Sequence, residues 1–277
     1  MVFKKTMVMR DRKAALSPAH ITGIVLIVAA VAAFFVQPLL SAALLLFYVV
    51  LCVWACFYPQ TNFLGPVISR GRSGEKKVAI TFDDGPSEFT TVKILDLLDR
   101  YSLRATFFVS GLNATQYPGL IDEIIRRGHS IGNHSMRHDP LVMLKSYRVL
   151  YREVYDAQAV LRKMGIDALA FRPPVGIINP KLPSILNRLG LFCVTFSCRA
   201  MDAGNFRVKN MAVRILKKLK GDDIILLHDK PPRRSKDYPV LFQEIENILT
   251  GIQDRGFRVV PLAQLIDREI MTLESRT

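Results

Sequence analysis

The sequence reads as an α/β fold: an irregular seven-stranded (β/α) barrel preceded by a transmembrane helical hairpin. Three observations predict it. From residue 77 onward, short apolar runs alternate with longer stretches of helical periodicity. Glycine closes one helical stretch after another, as helix C-terminal caps require. Residues 21–58 carry no charged side chain at all.

The chain begins with a basic segment, 1–20, that holds Lys4, Lys5, Arg10, Arg12 and Lys13. Residues 21–36 are apolar, Gln37-Pro38 interrupts, and 39–58 are apolar again. One straight helix over all 38 residues would be about 57 Å long, against a hydrocarbon core of about 30 Å. Two helices turning near Gln37-Pro38 fit better. The length of the stretch, and the lack of a cleavage site at its end, argue against a removed signal peptide. Arg70, Arg72, Lys76 and Lys77 then flank a linker at 59–75. Basic residues on both sides of the hairpin keep both flanks in the cytoplasm. The protein is therefore expected to be integral to the inner or plasma membrane, with its main domain, 76–277, on the cytoplasmic face. A single crossing would place that domain outside instead.

Within the main domain, strands are expected at 78–82, 105–109, 130–131, 169–171, 191–196, 224–227 and 258–260. Helices are expected at 89–101, 120–127, 141–164, 180–189, 208–220, 240–255 and 262–270. Gly128, Gly165, Gly190, Gly221 and Gly256 stand at helix ends. Repeated βα units argue for a parallel sheet with helices outside it. In such barrels the chemistry gathers at the carboxyl ends of strands. Asp83 and Asp84, the segment 133–138, Arg172, Asp202 and His228 all follow a strand.

Lys and Arg number 38 against 24 Asp and Glu, a net charge of +14. Such a balance suits an anionic partner: a phospholipid surface, a phosphorylated carrier or nucleic acid. There is no nucleic-acid motif, and the apolar segment already points to a membrane. No obligate protein partner is inferred. Lys209, Arg214, Lys217, Lys218 and Lys220 read as a solvated helix face, with a phosphate- or lipid-facing patch as the alternative. Cys52, Cys56, Cys193 and Cys198 have no Cys-x-x-Cys spacing and read as free thiols.

The residues with chemistry cluster in two motifs. Residues 81–86 read Thr-Phe-Asp-Asp-Gly-Pro, and 134–138 read His-Ser-Met-Arg-His. Donors from two loops, a carboxylate and two imidazoles, suit one divalent metal with coordination positions left open, as in catalytic sites. The other carboxylate of the pair is then free to act as a base.

These motifs, in this order, resemble those of the NodB-like polysaccharide deacetylases, carbohydrate esterase family four, over residues 76–268. Arg172-Pro173-Pro174-Val175-Gly176 resembles a third family motif, and Leu226-Leu227-His228 the last. The resemblance implies that Asp84, His134 and His138 bind the metal. Zinc suits that donor set, as do cobalt, nickel or another divalent ion. It also implies that Asp83 is the base, with Arg172 as its partner, and that His228 is the acid that protonates the departing amine. Asp202 would orient His228, and Leu226 would line the acyl pocket. Two positions depart from the family pattern. Val175 stands where tyrosine is usual, and no tryptophan accompanies Asp202. The backbone N–H of Val175 can still serve as an oxyanion donor. His20 and His129 fit no motif.

The expected reaction is metal-dependent removal of an N-acyl group, acetyl or formyl, from an amino sugar. A lipid-linked sugar at the cytoplasmic face fits the hairpin. An extracytoplasmic cell-wall or exported N-acetylglucosamine glycan fits the commonest family members. A catalytically inactive glycan-binding or scaffold protein is the rival of another class.

Overall fold

The computed structural model describes residues 16–274. The basic residues Lys4 to Lys13 therefore lie outside the described residues. Helix α1 (Pro18–Phe34) and helix α2 (Pro38–Phe57) lie side by side. The chain reverses at Phe35–Gln37, and Pro38 opens α2, where its missing N–H costs nothing. By length and composition α2 suffices to cross a membrane; α1, at 17 residues, is shorter. Their outer faces expose Ile24, Val25, Val28, Leu46, Val49 and Val53. The four cysteines are free.

The rest of the chain forms β1 (Val67–Ile68), β2 (Lys77–Asp83), α3 (Thr91–Arg100), β3 (Thr106–Val109), α4 (Gly111–Gln116), α5 (Pro118–Arg126) and β4 (Ser130–Asn133). It continues through α6 (Tyr147–Lys163), β5 (Ile166–Ala168), β6 (Ala170–Phe171), α7 (Leu182–Leu189), β7 (Phe192–Val194) and β8 (Cys198–Arg199). Last come α8 (Met211–Leu216), β9 (Ile224–His228), α9 (Tyr238–Asp254), β10 (Arg258–Val259), α10 (Leu262–Ile266) and β11 (Met271–Leu273).

One parallel sheet organises the domain, in the order β1-β7-β6-β4-β3-β2-β9-β8. β10 pairs with Lys77 and Val78 of β2, ahead of the residues that β3 and β9 take. The terminal strands β1 and β8 do not pair with each other. The sheet is therefore a curled, open barrel of nine strands, where a seven-stranded barrel was expected. The two unforeseen strands of this sheet are β1 and β8, each two residues long, too short to show an apolar period. Residues 59–75, expected as a linker, supply β1, and Val67 pairs with Cys193. The expected strand at 169–171 becomes β6, and neither β5 nor β11 was expected. β6 joins the sheet, while β5 pairs antiparallel with β11. The expected helix at 141–164 starts late, because residues 142–144 form a 3-10 turn and Ser146 caps α6 through Val149 N–H. The helix expected at 208–220 shrinks to α8, whose first N–H groups are capped from α9. Glu244 accepts from Asn210 and Ala212 N–H at 2.8 Å each.

Burial follows the two-residue period of the strands. Val78, Ile80 and Phe82 of β2 pack outward with Ile94, Leu98 and Ile245 of the covering helices. Ala79 faces inward with Phe108 and Val194. The same alternation turns Thr81 and Asp83 inward. β2 is buried on both faces, as a central parallel strand must be. Gly132 of β4 lets Phe108 into the interior: a Cβ there would sit 2.5 Å from the Phe108 ring.

The base of the helical pair is seated on the domain. Ala19 N–H donates to Phe63 O at 3.0 Å, and Ile178 N–H to Cys56 O at 3.1 Å. Ala19 and Ala55 are buried with Leu64, Val142, Met143 and Leu182.

Phe82 stacks on Phe107 at 5.1 Å between ring centroids, and both are fully buried. Phe82→Ala is expected to destabilise the domain by about 3–5 kcal/mol. Val213→Ala, at an exposed position on α8, should change stability by less than about 0.5 kcal/mol. Denaturation midpoints of the two purified variants check this.

Candidate active site

Asp83 ends β2, Asn133 ends β4, Phe171 ends β6 and His228 ends β9. Parallel strands bring these carboxyl ends to one mouth of the curled sheet. Eight of the nine residues singled out from the sequence line one cleft there: Asp83, Asp84, His134, His138, Val175, Asp202, Leu226 and His228. The ninth, Arg172, lies behind Asp83 and is fully buried.

Asp84, His134 and His138 can place one donor atom each within 4.8 Å of the others. His138 Nε2 lies 3.0 Å and His134 Nε2 3.6 Å from Asp84 Oδ1. That carboxylate oxygen is buried and has no hydrogen-bond partner among the described residues. His134 Nδ1 is 2.7 Å from the carbonyl oxygen of Arg172. The contact makes Nδ1–H the donor and leaves the Nε2 lone pair facing Asp84. An orphaned carboxylate oxygen between two imidazoles is what a missing cation would satisfy, so the residues fit a divalent metal. Burial works against the Asp84 charge, but His134, His138 and His228 hold its carboxyl well below the usual carboxylate range. Burial, with the neighbouring His134, pushes His138 down, which favours the neutral, ligating imidazole.

Arg172 organises the second half of the site. Its Nη1 donates to Asp83 Oδ1 and to Thr81 Oγ1, both at 2.7 Å, and its Nη2 to Thr195 O at 3.0 Å. The guanidinium lies 4.0 Å from the Phe108 ring centroid. Burial pushes the Arg172 pKa down and Asp83 opposes this, but a guanidinium keeps its charge. Asp83 thus has one oxygen engaged, while Oδ2 lies 3.7 Å from His134 Nε2.

On the opposite wall, His228 Nδ1 meets Asp202 Oδ2 at 2.8 Å. Burial disfavours the imidazolium, but the Asp202 carboxylate, with Asp84 and Asp83 beyond it, outweighs this and raises the His228 pKa. Asp202 Oδ2 also accepts Asn205 N–H, and the Asn205 amide holds the carbonyl groups of His228 and Lys230. No tryptophan is needed to fix this carboxylate.

Asp84, Ser135, His138 and Val175 all have positive φ, from 52° to 75°. Asp and His tolerate this conformation, but a β-branched Val175 does not adopt it freely, and such positions cost on the order of 1–3 kcal/mol. Half of the Val175 surface is exposed in the cleft mouth.

Two site residues were not foreseen. Asp229 is buried and accepts from the hydroxyls of Thr90 and Thr91 at 2.6 Å each. Burial, with Asp84 nearby, pushes its carboxyl up to about 6. Lys230 lines the cleft, 3.8 Å from Asp84 Oδ2. Their position directly after His228 was the one available signal. His129 is a core histidine: its Nδ1 accepts Ala105 N–H, and burial pushes its pKa down to about 4. In the basic run, Arg214 turns back to the carbonyl groups of Ala200, Arg207 and Lys209. Lys209, Lys217, Lys218 and Lys220 are exposed.

Because the His228 pKa is raised, the His228–Asp202 pair contributes stability below the ordinary histidine value of ~6.5. That contribution is lost as the pH rises through the raised value. Asp202→Asn removes the largest supporting charge. It should lower the His228 pKa, as followed by NMR titration of labelled histidine, with little change for His129.

A family model described as "Polysaccharide deacetylase" matches residues 70–194. The chain is 34% identical to the peptidoglycan-N-acetylglucosamine deacetylase of Bacillus cereus over 196 residues, covering 70% of this chain and 90% of that one. It is 30% identical to the deacetylase PgdA of Listeria monocytogenes over 217 residues, covering 77% of this chain but only 43% of that protein. Among solved structures, a peptidoglycan N-acetylglucosamine deacetylase bound to an N-hydroxybenzamide superposes with a TM-score of 0.65 at 26% identity, over 74% of this chain and 94% of that one. Identity at the level of the Bacillus cereus enzyme, over nine-tenths of its length, means that this chain belongs to the polysaccharide deacetylase family, hydrolases of amide bonds.

Proposed function

We propose that this protein hydrolyses the N-acetyl group of N-acetylglucosamine units in a cell-envelope glycan, using a divalent metal held by Asp84, His134 and His138. The observation that carries the reading is the unsatisfied Asp84 Oδ1 between the Nε2 atoms of two imidazoles. The names of the relatives above support the polymeric substrate. Zinc is the first choice of metal, since mixed carboxylate and imidazole donors with open positions suit it. When bound, such an ion would polarise the amide carbonyl and acidify a water.

The chain's own residues supply the proton transfers. Asp83 is the base: Arg172 and Thr81 hold its neighbourhood rigid and keep a cation against Oδ1, so Oδ2 is left to accept the proton of the attacking water. The oxygen of that water adds to the acyl carbon, and the C–N bond breaks. His228, charged and oriented by Asp202, gives its proton to the leaving nitrogen. The products are acetate and a free amine. Leu226 bounds the space beside the cleft floor and excludes water from the small acyl group. The backbone N–H of Val175, presented by its strained turn, stabilises the oxyanion.

The seating of α1 beside α2 favours a second reading for the substrate. Both ends of the pair lie at the domain, so two crossings would return the domain to the side of the amino terminus. A lipid-linked amino sugar at the cytoplasmic face, acetylated or formylated, would then be the substrate.

His134→Ala and His138→Ala should each lose most bound divalent metal, measured by elemental analysis, together with release of acetate from chitooligomers. Asp83→Asn and His228→Ala should keep the metal and lose roughly 10²–10⁴-fold in turnover. Loss of metal in Asp83→Asn would reverse the roles given to the two aspartates. Normal turnover in either histidine-to-alanine ligand variant would end the metal reading, and a metal-free, inactive wild type would restore the scaffold protein.

Topology decides between the substrates. A reporter fused after Lys77 that is active outside the cytoplasm goes with the polymeric glycan. A cytoplasmic reporter, with faster cleavage of a polyprenyl-phosphate amino sugar than of chitooligomers, selects the second reading.

A further inference from the structure

The helical pair is not tethered at a distance from the chemistry. Its base is built into the two loops that follow the cleft residues His138 and Gly176. Val175 and Gly176 line that cleft, and two residues later Ile178 N–H is bonded to Cys56 O of α2. Val142 and Met143, four and five residues beyond His138, are buried with Ala19 and Ala55 of the two helices. Asn179 ties the two loops together through Met143 O at 2.6 Å.

On either side of that buried contact the same loop turns apolar side chains outward. Leu141 is 57% and Leu144 79% exposed, and Tyr147 follows at the start of α6. Exposed apolar surface rimmed by polar residues marks sites that meet a membrane or another protein. Lys145, Arg148 and Arg152 are exposed among them, and none of the three side chains has an acidic partner among the described residues. At the same level, Trp54 and Tyr58 stack at the end of α2 with centroids 5.0 Å apart. Aromatic residues concentrate where a bilayer meets water, and basic residues meet anionic headgroups there.

We infer that this loop, residues 141–148, rests on an anionic bilayer surface, with Leu141 and Leu144 in the interfacial layer and Lys145 and Arg148 on the headgroups. The inference rests on α1 and α2 being held in that bilayer. Continuity between their lipid-facing flanks and the loop, together with its unpaired positive charge, selects a lipid surface as the occupant. The cleft then opens beside the membrane, and the enzyme acts on glycan close to the bilayer, whichever face it occupies.

The test uses the full-length chain in vesicles of phosphatidylcholine and phosphatidylglycerol. An environment-sensitive fluorescent amino acid is placed at residue 49, 144 or 126. Residue 49 lies within α2. Residue 126 ends α5, ahead of β4 and so at the end of the sheet opposite the cleft. Lipids brominated deep in the chain should quench the probe at 49. Lipids brominated near the headgroup should quench the probe at 144, and neither should quench 126. Omitting phosphatidylglycerol, or adding Lys145→Gln with Arg148→Gln, should reduce quenching at 144 and leave 49 unchanged. Quenching at 49 with a probe at 144 that behaves like 126 overturns the inference and spares the membrane hairpin. An unquenched probe at 49 removes the hairpin and the inference with it. Acetate release from chitooligomers, measured on the same samples, reports separately on the proposed activity.

Discussion

The fully buried guanidinium of Arg172 is the interaction on which the rest of the site depends. It sits inside the curl of the sheet and bonds to β2 through Thr81 and Asp83, and to the end of β7 through Thr195. Its own carbonyl oxygen orients His134. One residue therefore fixes Asp83, sets a histidine tautomer and braces strands on both sides of the opening. Burying a cation is costly, and the cost is offset only by a paired carboxylate and good hydrogen bonds. The Phe108 ring face adds a further favourable contact. This explains why the interior can hold an ion pair where a typical parallel sheet holds only aliphatic layers.

The curl of the sheet supplies the second constraint. A closed barrel would ring its mouth with loops on every side. Here β1 and β8 do not meet, and the mouth stays a cleft with two unlike walls. One wall carries the buried carboxylate and imidazole cluster. The other carries His228, supported by Asp202 and Asn205. The walls differ electrostatically: burial pushes His138 down on one, and the Asp202 carboxylate pushes His228 up on the other. Such a separation of proton affinities is what acid–base cleavage of an amide requires. Positive-φ residues at the cleft show that the loops are forced into place by these contacts.

The helical pair belongs to the same physical argument. Helices connected by a flexible linker would leave the domain free to tumble. Instead, Phe63 and Cys56 carbonyl groups receive N–H groups from α1 and from the Val175 loop. Displacement of the helices therefore reaches the cleft through a few bonded residues, and the orientation of the domain is set by the helices.

Much of the site was legible in the sequence because metal and acid–base chemistry restrict residue type. Asp83 and Asp84 stand at the end of β2, and His134 and His138 follow β4, so local spacing sets each pair and the parallel sheet brings the pairs together. The core strands were legible because a doubly covered strand must be apolar throughout, and Gly190 marked the end of α7 because the chain turns left-handed there. What the sequence could not determine depended on partners far along the chain. Two-residue strands such as β1 and β8 exist only because a neighbouring edge is there to pair with. The start of α8 depends on Glu244, 34 residues away from Asn210. The buried place of Asp229 depends on Thr90 and Thr91, which lie far earlier in the chain. Residue type and local period settle which groups can react and which runs are buried. Only tertiary packing decides which edges pair, which charges lose their water and where the helices meet the cleft, because each of those depends on free energies shared between distant segments.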